Sequence, residues 1–100
     1  MQYSIFPLVS TRTGRKLGEF PLGSVSFNED GLKVDLPDAA VQRRVEALFT
    51  NPLRIRRAAG EINMALTYTW EELEPGSEEH FQEAVARLHH LGYGSKLESY

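Results

Sequence analysis

Two stretches of this chain alternate apolar and polar positions. In residues 24–36, Val25 and Phe27 alternate with polar residues, Asn28-Glu29-Asp30-Gly31 intervenes, and Leu32, Val34 and Leu36 resume the pattern. Period two marks a strand with one buried face. Asp30-Gly31 suits a type I′ loop, whose central residues both have positive φ. That loop pairs Phe27 with Val34 and Val25 with Leu36, gathering the apolar side chains on one face. In residues 53–70, Ile62, Met64, Leu66, Tyr68 and Trp70 alternate with Glu61, Asn63, Ala65, Thr67 and Thr69, which predicts a second strand with a buried face. Gly60-Glu61 offers a type II′ loop that pairs Ile55 with Leu66, Leu53 with Tyr68 and Arg57 with Met64. Arg54 and Arg56 then lie on the opposite face beside Thr67 and Ala65, and Arg57 falls on the apolar face, where it must snorkel or pair.

A further hairpin is predicted at the start, where residues 3–10 and 16–20 flank Thr11-Arg12-Thr13-Gly14-Arg15, a loop with a glycine. Pro7 assigns its first strand to a sheet edge or a bulge, because proline cannot donate to a ladder. Helical spacing appears twice. Asp38 can cap a helix to about Thr50 with Val41, Val45, Leu48 and Phe49 as its stripe, and Asn51-Pro52 ends it. Ser77 can cap another, with Glu78 and Glu79 in the first turn and Phe81, Ala84, Val85, Leu88 and Leu91 as the stripe, stopped by Gly92.

The predicted order is β-β-β-β-α-β-β-α, an α+β fold. An antiparallel sheet of about five to six strands carries both helices on one face. Residues 1–93 read as a single domain and residues 94–100 as a loose tail. The expected core is Ile5, Val25, Phe27, Val34, Leu36, Val41, Val45, Leu48, Phe49, Ile55, Ile62, Met64, Leu66, Tyr68, Phe81, Val85 and Leu88.

Composition narrows the chemistry more than it identifies it. With 41% hydrophobic and 25% charged residues, the 100-residue chain has ordinary globular usage. It has no cysteine, which removes disulfides, thiolate metal sites and cysteine nucleophiles. The opening residues lack a basic leader and no run is long enough to span a bilayer, so the expectation is a cytoplasmic protein without membrane contact. Charge is uneven: residues 1–60 carry nine Lys/Arg against six Asp/Glu, and residues 61–100 carry two against eight.

Candidate sites follow from these positions. His80, His89 and His90 share a predicted helix, but none has the i, i+4 spacing that brings two imidazoles to one ion, so no metal or other cofactor is expected. Glu71, Glu72, Glu74, Glu78 and Glu79 precede or open that helix, where carboxylates complement the dipole. Gly92-Tyr93-Gly94-Ser95-Lys96 follows a helix, whereas a phosphate loop feeds one. No serine lies in a nucleophile motif, and the expectation leans away from an enzyme. The candidate binding residues are Arg43, Arg44, Arg54 and Arg56, with Arg12, Arg15 and Lys16 at a hairpin tip. In the predicted register no aromatic is interleaved with Arg54 and Arg56, as a base-stacking sheet would require. The expected role is a small non-enzymatic interaction or regulatory module that binds a protein partner or itself through a sheet edge and charged faces. A nucleic-acid accessory protein using the arginine face is the alternative.

Overall fold

The computed structural model describes residues 1–99. Strands β1 (Gln2–Thr11), β2 (Gly14–Leu17), β3 (Gly23–Asn28) and β4 (Gly31–Asp35) precede helix α1 (Ala39–Thr50). Then come β5 (Leu53–Ile62), β6 (Ala65–Leu73), helix α2 (Glu78–Ala86), a 3-10 turn at Leu88–Leu91 and β7 (Tyr93–Ser99). The fold is α+β with every strand pair antiparallel: a five-stranded sheet of β1–β4 and β7, and a separate two-stranded ribbon of β5 and β6.

Local chemistry starts both helices as predicted, although α2 ends at Ala86 and a 3-10 turn, not α-helix, carries the chain to Gly92. The Asp38 carboxylate accepts from the Ala40 and Val41 amides, and the Ser77 hydroxyl accepts from His80 N–H. The 3-10 turn stops at Gly92 in the left-handed region, φ 89°. Val41, Val45 and Phe49 of α1 and Phe81 and Ala84 of α2 are buried against Ile5, Val25 and Leu36 of the sheet side. Phe81 is the hub. Its ring lies 5.9 Å from that of Tyr3, 5.6 Å from Phe27 and 5.3 Å from Phe49, so one side chain ties β1, β3, α1 and α2 together.

Strand β1 departs from expectation. It is a central strand, paired with β2, β3 and β7, and Pro7 sits inside it. The strand tolerates proline there because the β2 ladder ends at that point. Gly18 N–H still donates to the Pro7 carbonyl at 2.8 Å, and the chain then leaves the ladder until Leu22 N–H donates to the Ile5 carbonyl at 2.7 Å. The missing donor falls where pairing lapses. The loose tail is also corrected: residues 94–99 belong to β7, which pairs with Gln2–Pro7. Tyr100 lies outside the described residues.

The β3–β4 hairpin keeps its predicted faces but not its register. Asn28 pairs with Gly31, Phe27 with Leu32 and Val25 with Val34, a slip of two residues that preserves which side chains share a face. The loop is Glu29-Asp30, with the Asn28 side chain accepting from Asp30 N–H at 2.8 Å and Gly31 at φ 101° just after it. Nothing lies within 4 Å of a Cβ built on Gly31, so only backbone strain opposes a side chain there. Gly31→Val is expected to cost about 1–3 kcal/mol in a urea titration. A change under half that would mean the turn relaxes freely.

The β5–β6 hairpin turns later than predicted. Ile62 pairs with Ala65 across a two-residue loop of Asn63 (φ 51°) and Met64 (φ 67°), the type I′ geometry, instead of turning at Gly60-Glu61. Ala58 pairs with Tyr68 but Gly60 pairs with Thr67, so a bulge interrupts β5 between Ala58 and Gly60. The ribbon's base is buried through Leu53 and Leu73, while its residues from Arg56 to Glu72 are exposed except half-buried Thr67. The radius of gyration is 15.7 Å, against about 13 Å for a compact chain of this length. The ribbon is an arm.

Candidate functional site

Alternation along the arm decides what shares a face. With Arg54 opposite Glu72, Arg56 opposite Trp70 and Ala58 opposite Tyr68, one face carries Arg54, Arg56, Ala58, Leu66, Tyr68, Trp70 and Glu72. The guanidinium of Arg56 lies 4.3 Å from the Tyr68 ring centroid and that of Arg54 lies 5.0 Å from the Trp70 centroid. Both are cation–π contacts. The expectation that Arg54 and Arg56 lack aromatic neighbours is therefore wrong. The predicted register paired them with Thr67 and Ala65; the observed one moves β6 by five residues, an odd number, which turns its aromatics onto the arginine face.

The predicted burial of this strand is also overturned. Ile62 is 63% exposed, Met64 93%, Leu66 62%, Tyr68 45% and Trp70 64%. At roughly 200 Å² per large side chain, Leu66, Tyr68 and Trp70 leave about 340 Å² of apolar and aromatic side chain open on this face, comparable to the largest patch of an ordinary monomer, while Ile62 adds to the opposite face and Met64 to the turn. Among the described residues neither Arg54 nor Arg56 forms an ion pair. The face offers Trp, Tyr and Arg together, the residue types that dominate binding hot spots.

The other face of the arm holds it to the body. Arg57 pairs with Glu71 across the ribbon and with Glu79 in the first turn of α2. Glu79 and then Glu71 hold the guanidinium further above its already high range by hydrogen bonding to its charged form. Solvent screens so exposed a cluster, so it orients the ribbon more than it stabilises the fold. Arg87 adds a second tie, donating to the Arg54 carbonyl and, at 2.9 Å, to Glu83.

The other predicted binding residues lie elsewhere. Arg44 on α1 stands 5.6 Å from the ring of Tyr93, and Arg43 lines a shallow groove on α1 with Gln42, Glu46 and Thr50. Among the described residues no hydrogen bond or ion pair joins this pair to Arg54 and Arg56, and the candidate site reduces to the latter two and their aromatics.

The histidines divide as well. His80 is 1% exposed, and its Nε2 donates to the Asn51 carbonyl at 2.7 Å, tying α2 to the end of α1. It is a buried strut. The rings of His89 and His90, on the 3-10 turn, lie with centroids 4.0 Å apart and planes tilted by 37°. Among the described residues no three His, Cys, Asp or Glu side chains are grouped to hold a metal ion. The crevice between Phe27, Phe49, His80 and Phe81 has room for about one water. No helix of the described residues is long and apolar enough to cross a membrane.

Comparison of the chain with known protein families, with curated proteins and with solved structures finds no match.

Proposed function

We propose that this protein is an interaction module whose binding element is the β5–β6 arm, and that its partner is a protein. One observation carries the reading: an exposed sheet face on which Leu66, Tyr68 and Trp70 stand beside Arg54 and Arg56. Large apolar side chains of this kind face solvent at a thermodynamic cost that a protein partner removes.

The nucleic-acid reading gains from the same face, since aromatics and arginines together can stack bases. Electrostatics favours the protein. Residues 53–73 carry three arginines and three glutamates, so the arm is neutral in a chain of net charge −3. Phosphate binding requires surplus cations free to displace counterions. The two arginines also lie over the rings that bases would occupy.

A photo-crosslinking residue distinguishes these readings. With benzoylphenylalanine at Leu66, irradiation in cells producing the protein should give protein adducts, including any formed with itself. Those adducts should disappear when Tyr68→Ala and Trp70→Ala are combined, and a chain labelled at Lys33 should not form them. Nuclease-sensitive adducts alone would favour the nucleic-acid reading. Equal adducts from Leu66 and Lys33 would defeat the arm as a binding element.

A further inference from the structure

We infer that the arm's partner is a second copy of this chain, added edge to edge so that β6 pairs antiparallel with β6 of the copy. The product is a four-stranded sheet in the order β5-β6-β6-β5 about a two-fold axis. This rests on the reading of the arm as a protein-binding element and goes further by assigning its occupant.

The two outer edges of the ribbon differ. Strand β5 carries Arg54, Arg56 and Arg57 and is broken by the bulge between Ala58 and Gly60. Charges and bulges are the devices that keep an edge unpaired. Strand β6 carries charge only at its base, at Glu71 and Glu72, and has no extra residue of its own. From Ala65 to Trp70 it reads Ala-Leu-Thr-Tyr-Thr-Trp, without charge, glycine or proline, and four of the six residues are strong strand formers. Its only partner among the described residues is β5, so its outward backbone groups have no strand to meet. The chain guards one edge and leaves the other open.

A second copy fits that edge chemically. Across a two-fold axis normal to the sheet, a residue faces its own copy and its neighbours pair symmetrically. With Thr69 on the axis, Tyr68 lies opposite Trp70 of the copy and Leu66 opposite Glu72. With Thr67 on the axis, Tyr68 lies opposite Leu66 and Glu71 opposite Asn63. Neither register sets two carboxylates against each other, and both merge the aromatic faces of the two arms, where cross-strand aromatic pairs stabilise a sheet. A partner also answers a deficiency of the arm itself. An isolated two-stranded ribbon is marginal in water, and four strands are not.

The test uses the full chain and its single tryptophan, Trp70. Sedimentation at micromolar to hundred-micromolar concentration should show twice the chain mass of 11.3 kDa. As the dimer forms, Trp70 emission should shift to the blue and the amides of residues 66–70 should exchange more slowly. Tyr68→Lys, a charge on the open edge, should weaken association by about 50-fold or more. Lys33→Glu, on the other sheet, should leave it unchanged. Because Tyr68 is exposed, the variant should keep the parent's circular dichroism, so a loss of association is not a loss of fold. A monomer at the highest concentration overturns the inference. So does a dimer that tolerates Tyr68→Lys, or one protected at β4 or β7 instead of β6. In any of those cases Leu66 adducts with a different protein would still uphold the arm as a binding element, and their absence would remove both.

Discussion

Phe81→Ala is expected to destabilise the protein by about 3–5 kcal/mol, the range for deleting a buried aromatic whose site only partly collapses. Phe81 is 2% exposed and meets Tyr3, Phe27 and Phe49. Truncation opens a cavity between sheet and helices and removes three ring contacts, each worth about 0.5–1.5 kcal/mol beyond area burial. Domains of this size are stable by about 5–15 kcal/mol, so the variant should lose from about a fifth to all of that margin. Urea denaturation followed by far-ultraviolet circular dichroism measures it. A cost under 1 kcal/mol would mean that the helices close over the gap and that Phe81 is not the hub.

Gly23→Ala should be at least as damaging for a different reason. Gly23 has φ 154°, and a Cβ there would sit 2.2 Å from the Asp35 carbonyl oxygen and 2.9 Å from the Leu36 Cα. Both are backbone atoms of the chain leaving β4, so no side-chain rotation relieves the overlap. The β3–β4 ladder must open at that end, exposing Leu36, which is 5% exposed in the parent. Overpacking alone costs about 1–3 kcal/mol, and displaced backbone takes this case to the upper end or beyond. The expected result is a protein recovered largely in the insoluble fraction. Normal yield with an unchanged melting temperature would contradict the close approach of β3 to β4.

What the sequence disclosed follows the range of the forces involved. The caps at Asp38 and Ser77, the stop at Gly92, the stripe ending in Phe49 and the one beginning at Phe81 depend on neighbours within a few residues, and they read correctly. The β3–β4 faces survived a register slip because the slip was even. The arm failed on two counts. Gly60-Glu61 and Asn63-Met64 are both credible turns, and choosing between them moved the aromatics of β6 from one face to the other. Alternation also reports that a strand has two unlike faces, not that the apolar face is covered. Strand β7 was invisible because Tyr93-Gly-Ser-Lys-Leu-Glu-Ser has almost no apolar rhythm. Its partner, β1, lies at the other end of the chain. His80 gave no local sign of burial; only the meeting of α2 with the end of α1 buries it.

The pairing of β1 with β7 also bears on how the protein is made. Pro7 and Tyr93 are partners separated by 86 positions, an interval that takes a ribosome some seconds at ~5–20 residues per second. Through that time β2, β3 and β4 emerge early enough to pair near β1, while the partner of Gln2–Pro7 has yet to be synthesised. The centre of the finished sheet is thus a border of the unfinished one, and on a crowded polysome it faces the same open border on neighbouring nascent chains. Sealing waits on the synthesis of β7, which converts β1 from an exposed margin into an interior strand.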